Sequence, residues 1–325
     1  MGKGTGDARG PGRAGRVVTL AAAAAVALAA TTGCGRASTA PDAASPPPSA
    51  AGAATPSPGA TTASSTPSGP PRPDAAIPQD PRKLARALDR TTRAMRAAIG
   101  SWTKDGDPGH GRPPEDVVLL TLYHQRLCRY AARHPDTAER AFAELTPSVA
   151  AQARDDATAV RELLSLAHPV TGKVSFKLRE PLPADVLLGH FKKAGRRFGV
   201  EWEVLAAVML VETKFGRVRS ASSAGAQGPM QFMPATWRAY GMGGDIHDTG
   251  DAVAAAANYL RASGAPGDYR KALHAYNHSQ AYVDAVLLHA RAMKRDVRAY
   301  YAYYNWQVFV LVPGGERRLT GPGLA

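Results

Sequence analysis

From Asp80 onward apolar residues recur three and four positions apart, the spacing of one face of a helix. Leu84, Leu88, Met95 and Ile99 mark the first stripe, and Asp80-Pro81 before it reads as an N-cap with proline at the first helical position. Further stripes predict helices over 114–133, 136–145 and 148–167. Val174, Phe176 and Leu178 alternate instead with Lys173, Ser175 and Lys177, which predicts a short extended connection punctuated by Pro181 and Pro183. A boundary is placed near residue 180. Beyond it, Leu187, Phe191 and Phe198 mark a helix closed by Gly199, and Trp202, Leu205, Val208, Met209 and Phe215 a second closed by Gly216. Asp251 caps a third with Val253, Ala256, Ala257 and Leu260; Tyr269, Leu273 and Tyr276 mark a fourth, and Tyr282, Val286, Ala290 and Met293 a fifth. Val308–Val312 followed by Pro313-Gly314-Gly315 predicts a hairpin. The expected fold class is all-α, with a small C-terminal β element.

The first eighty residues obey neither period. Lys3, Arg9, Arg13 and Arg16 precede an uncharged run, Val17 to Ala30. Its length as a helix, about 21 Å, falls short of a hydrocarbon core, so the pattern predicts a signal sequence over 1–33 rather than a membrane span. Thr31-Thr32-Gly33-Cys34 resembles a lipobox, with Thr31 where leucine is usual; Ala27-Leu28-Ala29 offers an ordinary cleavage site instead. Residues 34–79 are mostly Ala, Pro, Ser, Thr and Gly, a composition that predicts a disordered linker. Residues 80–180 then form a helical accessory segment without a chemical motif, and 181–325 a catalytic part with a C-terminal extension.

Charge and cysteines narrow the class. The net charge of +13 becomes +10 once residues 1–33 are removed. A basic exported protein suits an anionic envelope, and export argues against a nucleic-acid partner. Cys128 lies in an apolar helical stretch and reads as a buried, inert thiol. Two cysteines make neither a disulfide scaffold nor a zinc site.

Glu212 is the most informative residue. It lies seven after Leu205, four after Val208 and three before Phe215, which puts a carboxylate on the apolar face of its helix. Such a group is either ion-paired, for instance with Arg217 or Arg219, or has its pKa raised by desolvation and can protonate a leaving oxygen near neutral pH. A loop of small residues, Ser220–Gly228, follows, and then Pro229-Met230-Gln231. Gln231 carries the donor and acceptor that recognition of sugar hydroxyl and acetamido groups requires.

Glu212-Thr213, then Ser222 through Gly228-Pro229-Met230-Gln231, then Ala275-Tyr276-Asn277 resemble in order and spacing the motifs of soluble lytic transglycosylases. The likeness covers roughly residues 184–294, with Thr213 for the common Ser, Pro229 for Leu and Ser279 for Gly. It implies a lysozyme-like (goose-type) α domain that cleaves peptidoglycan between N-acetylmuramic acid and N-acetylglucosamine, with Glu212 as sole acid/base and a 1,6-anhydro product. By the same match Thr213, Ser222, Gln231, Tyr276 and Asn277 would bind the glycan, and Met230 would form an apolar wall. Tyr276 also fits a packing role and Asn277 a helix cap.

Other signals carry less. His274 and His278 are four apart but lack the pattern of a zinc protease, and Asp245, Asp248 and Asp251 suit turns and a cap. No metal and no cofactor is expected. Tyr300, Tyr301, Tyr303, Tyr304 and Trp306 could line a sugar groove or fill a core. The expected partners are peptidoglycan strands and, through a lipid on Cys34, the membrane, in an extracytoplasmic location. Two rivals remain: a hydrolytic muramidase on the same fold and a non-catalytic peptidoglycan-binding protein.

Overall fold

The computed structural model describes residues 69–171 and 175–324. The expected signal sequence, Cys34 and the linker as far as residue 68 lie outside the described residues, as does Val174. Residues 69–79, counted with the linker by composition, lie against the folded chain: the carbonyls of Pro73 and Ala75 accept from Arg126, and that of Ala76 from the Tyr123 hydroxyl. At the other end Gly323 sits so close to Pro73 that a β-carbon would not fit between them.

The first helix begins where its cap predicts. Asp80 accepts from the Lys83 amide at 2.9 Å, Pro81 follows, and α1 runs Pro81–Asp105. The three expected accessory helices are present as α2 (Glu115–Arg133), α3 (Pro135–Phe142) and α4 (Pro147–Ser165). The expected extended connection survives as one bridge, Leu178 to Val218, flanked by a bond from the Arg219 amide to the Lys177 carbonyl.

Five further helices match the second set of stripes: α5 (Ala184–Phe198), α6 (Trp202–Thr213), then after a short α7 (Pro234–Tyr240) come α8 (Thr249–Ala262), α9 (Tyr269–Tyr276) and α10 (Gln280–Arg295). Neither α7 nor α11 (Arg298–Tyr304) was expected, both being too short to show a period. The cap of α8 is Asp248, whose carboxylate accepts from the Asp251 amide; Asp251 itself lies in the first turn. The hairpin is present, with β1 (Phe309–Val312) antiparallel to β2 (Gly315–Arg318) and Val312 opposite Gly315. Among the described residues no helix is long and apolar enough to cross a membrane.

Two features position the site. Helix α6 is buried from Val204 to Thr213 on every side, so the single apolar face expected for it is in fact a whole cylinder. The principal core also ignores the boundary at 180: Met95, Ile99 and Trp102 of α1 and Val160 of α4 share it with α6, α8 and α10. Helix α4 packs along α10, and Arg291 and Arg295 each reach Asp155 at 2.7 Å. The aromatic tail is core rather than groove. Tyr300 and Tyr303 are fully buried, and the hydroxyls of Tyr300, Tyr301 and Tyr304 bond to Ala184, Asp185 and Leu182 at the entry to α5.

Candidate active site

Glu212 occupies the last turn of α6 and is 3% exposed. Neither arginine considered for an ion pair takes it. Arg217 donates to the Tyr304 carbonyl at 2.7 Å and lies over the Tyr304 ring. The partner is Tyr282 of α10, whose hydroxyl donates to Glu212 Oε1 at 2.8 Å. Burial raises the carboxyl pKa to about 8, against smaller opposing effects of the Tyr282 hydrogen bond and the Lys214 charge. The group is therefore held toward its neutral form, from which it can give up a proton.

The turn after Glu212 is tight. Lys214, Phe215 and Gly216 have φ of 52°, 58° and 81°, so two side-chain-bearing residues in succession adopt the left-handed region. Lys214 Nζ donates to the Leu210 carbonyl at 2.9 Å, and burial lowers its pKa to about 8. The Thr213 hydroxyl accepts from the Gly216 amide at 2.9 Å and donates to the Pro229 carbonyl at 2.7 Å.

That last bond reaches the second motif. Gln227 and Phe232 exchange both backbone hydrogen bonds at 2.9 Å and close a loop over Gly228-Pro229-Met230-Gln231. Gly228 has φ of +75°, and a β-carbon there would lie 1.9 Å from the Ile246 carbonyl oxygen, so only glycine fits. The loop's next carbonyl, Met230, accepts from the Tyr276 hydroxyl at 2.7 Å. Thus Thr213 and Tyr276 pin adjacent carbonyls of one loop and bring the three separated motifs together around Glu212.

The family model described as the transglycosylase SLT domain matches residues 189–297. Over those residues the chain is similar to an SLT domain. No curated protein and no solved structure matches the chain. The SLT domain is lysozyme-like, as expected, and supports a peptidoglycan-degrading activity of the lytic transglycosylase type.

Within the SLT domain the expected substrate contacts divide. Gln231 is half-buried with φ of 50°, and its amide nitrogen donates to the Gly228 carbonyl at 2.9 Å. Ser222 closes a turn, its hydroxyl accepting from the Ala226 amide at 2.9 Å. Thr213 and Met230 are fully buried. The Thr213 hydroxyl is occupied on both sides, and Met230 belongs to the principal core. Asn277 is buried at the end of α9, and Tyr276 is buried against Phe232 and Tyr259.

Tyr282 is the residue sequence reasoning missed. It lies on the apolar stripe of α10, as its spacing predicts, and the stripe turns its hydroxyl onto the Glu212 carboxyl. The rings of His274 and His278 lie 5.3 Å apart, and among the described residues no third ligand joins them.

Proposed function

We propose that the protein is a lytic transglycosylase that cleaves the β-1,4 bond between N-acetylmuramic acid and N-acetylglucosamine, with Glu212 as its sole acid/base. The observation that carries this reading is the place of Glu212: a carboxyl buried at the end of α6, held by the Tyr282 hydroxyl and flanked by the loop that Thr213 and Tyr276 pin. Glu212 gives its proton to the glycosidic oxygen as the bond to C1 breaks. The substrate's own 2-acetamido oxygen takes up the developing positive charge at C1, the recognised substitute for a second carboxylate. Glu212, now ionised, removes the proton from the C6 hydroxyl, and the C6 oxygen closes on C1. The carboxyl regains its proton, the products are a 1,6-anhydro sugar and a free 4-hydroxyl, and no water is consumed.

Mass spectrometry of the soluble fragments released from purified peptidoglycan by the full chain tests this. Muropeptides ending in 1,6-anhydro-muramic acid, one water lighter than hydrolysed ones, are expected. Reducing ends would replace the reading with a hydrolytic muramidase, and no products from folded protein would leave a peptidoglycan-binding protein.

The substrate implies work outside the cytoplasm, and in this reading a lipid on Cys34 holds the SLT domain at the membrane through the linker. Cys34→Ala should then move the protein from the membrane fraction to the medium; unchanged retention on fractionation rules the lipid out.

A further inference from the structure

Away from Glu212, the described residues contain one group of side chains able to hold a metal ion. His124 and Cys128 lie one turn apart on α2, and Asp156 faces them from α4. One ligand atom from each falls within 4.8 Å of the other two, and all three residues are buried. Neither cysteine spacing nor the zinc-protease pattern reveals this, because the third ligand comes from another helix.

Two observations point to a ligand rather than to a closed polar network. Asp156 is fully buried, and the Tyr303 hydroxyl bonds to its Oδ1, yet its Oδ2 makes no close hydrogen bond, the Gln152 side chain acting on the carboxyl only weakly. A buried carboxylate oxygen left unpaired is costly, and a cation is one of the few groups that settles it. The second is spacing. Cys128 Sγ lies 3.7 Å from His124 Nδ1. Bonds of about 2.3 Å to sulfur and 2.0 Å to nitrogen at a tetrahedral angle put those atoms about 3.5 Å apart.

We propose that His124, Cys128 and Asp156 form a binding site for a divalent cation, zinc by the chemistry of the donors, that clasps α2 to α4. Thiolate and imidazole exclude calcium and magnesium, which take oxygen ligands. Thiolate and carboxylate bring two negative charges and the imidazole none, so a divalent ion leaves the site neutral, as burial demands. Binding releases the thiol proton, and any proton held by the buried carboxyl, to solvent. The Tyr303 bond to Oδ1 fixes the carboxylate and links the site to α11. The ion's role is structural: it joins the accessory helices and does not touch Glu212.

The test uses the full chain, stripped with a chelator and then dialysed against zinc. Elemental mass spectrometry should find about one zinc per chain, and zinc should raise the melting temperature by about 5 °C or more. Cobalt in place of zinc should give a thiolate-to-cobalt absorption band that persists in Cys34→Ser and is lost in Cys128→Ser. A band that survives Cys128→Ser, or lost in Cys34→Ser alone, overturns the proposal. If Cys128→Ser does not fold, the unaltered chain decides: uptake below about a tenth of an equivalent with an unmoved melting temperature overturns the site.

Discussion

A carboxylic acid sealed into an apolar helix is a liability for folding and an asset for proton transfer. The pKa of Glu212 is about 8 in the folded protein against an ordinary 4.5. Between those values the folded state holds a proton that the unfolded state has lost, so this group's contribution to stability falls as pH rises from about 4.5 to about 8 and stays low above that range. Glu212→Gln removes the penalty while keeping the shape. It should be more stable than the parent above pH 7, by on the order of 2–5 kcal/mol in chemical denaturation, and lose that advantage below pH 4.5. Release of soluble fragments from peptidoglycan should meanwhile fall by about 10²–10⁴-fold or more. Tyr282→Phe acts in the opposite sense on the acid: its lost hydrogen bond favoured the ionised form, so the alkaline limb of the pH–rate profile should move to higher pH. The rate at the optimum should drop about 10- to 100-fold. Glu212 was legible in the sequence because an acid in an apolar period is conspicuous. Tyr282 was not, since a tyrosine that packs and one that also bonds to a residue 70 positions away share the same stripe. The Thr213 hydroxyl bonds to a loop carbonyl, and nothing local in the sequence distinguishes that from facing a sugar.

The elements of the site are held by carbonyls and glycines more than by side-chain contacts with one another. The loop Gly228–Gln231 hangs from Thr213 of α6 and Tyr276 of α9 and leans on Ile246 where Gly228 has no side chain. Gly228→Ala should therefore cost about 3 kcal/mol or more in chemical denaturation and carry activity down with it. Gly225→Ala is the matched control. That residue also has positive φ, at +88°, but open space around it, so its cost should be about 1 kcal/mol. Equal effects of the two substitutions would show that backbone conformation, and not the approach of Ile246, sets the demand for glycine. Periodicity located most of the helices here, whereas the left-handed run from Lys214 to Gly216 is a product of packing and leaves no sequence signal except Gly216.

Across the whole molecule, the division near residue 180 follows the extended, proline-marked connection and not the core. Helix α10 carries Tyr282 on one stretch and presses along α4 of the accessory segment, while Gln125 of α2 exchanges two hydrogen bonds with the backbone of Gln307. A protein cut to residues 181–325 would expose those faces. It should be recovered insoluble, or lack the near-ultraviolet circular dichroism of packed aromatics, and co-expression with residues 69–180 should restore both. A soluble, active fragment would show instead that the SLT domain folds independently. No stripe could forecast which segment covers which, because an apolar face states that it needs a partner and not where the partner is. Gly323 against Pro73 adds a last point about connectivity. With its two described ends in contact, the fold has the topology of a ring opened at a single seam.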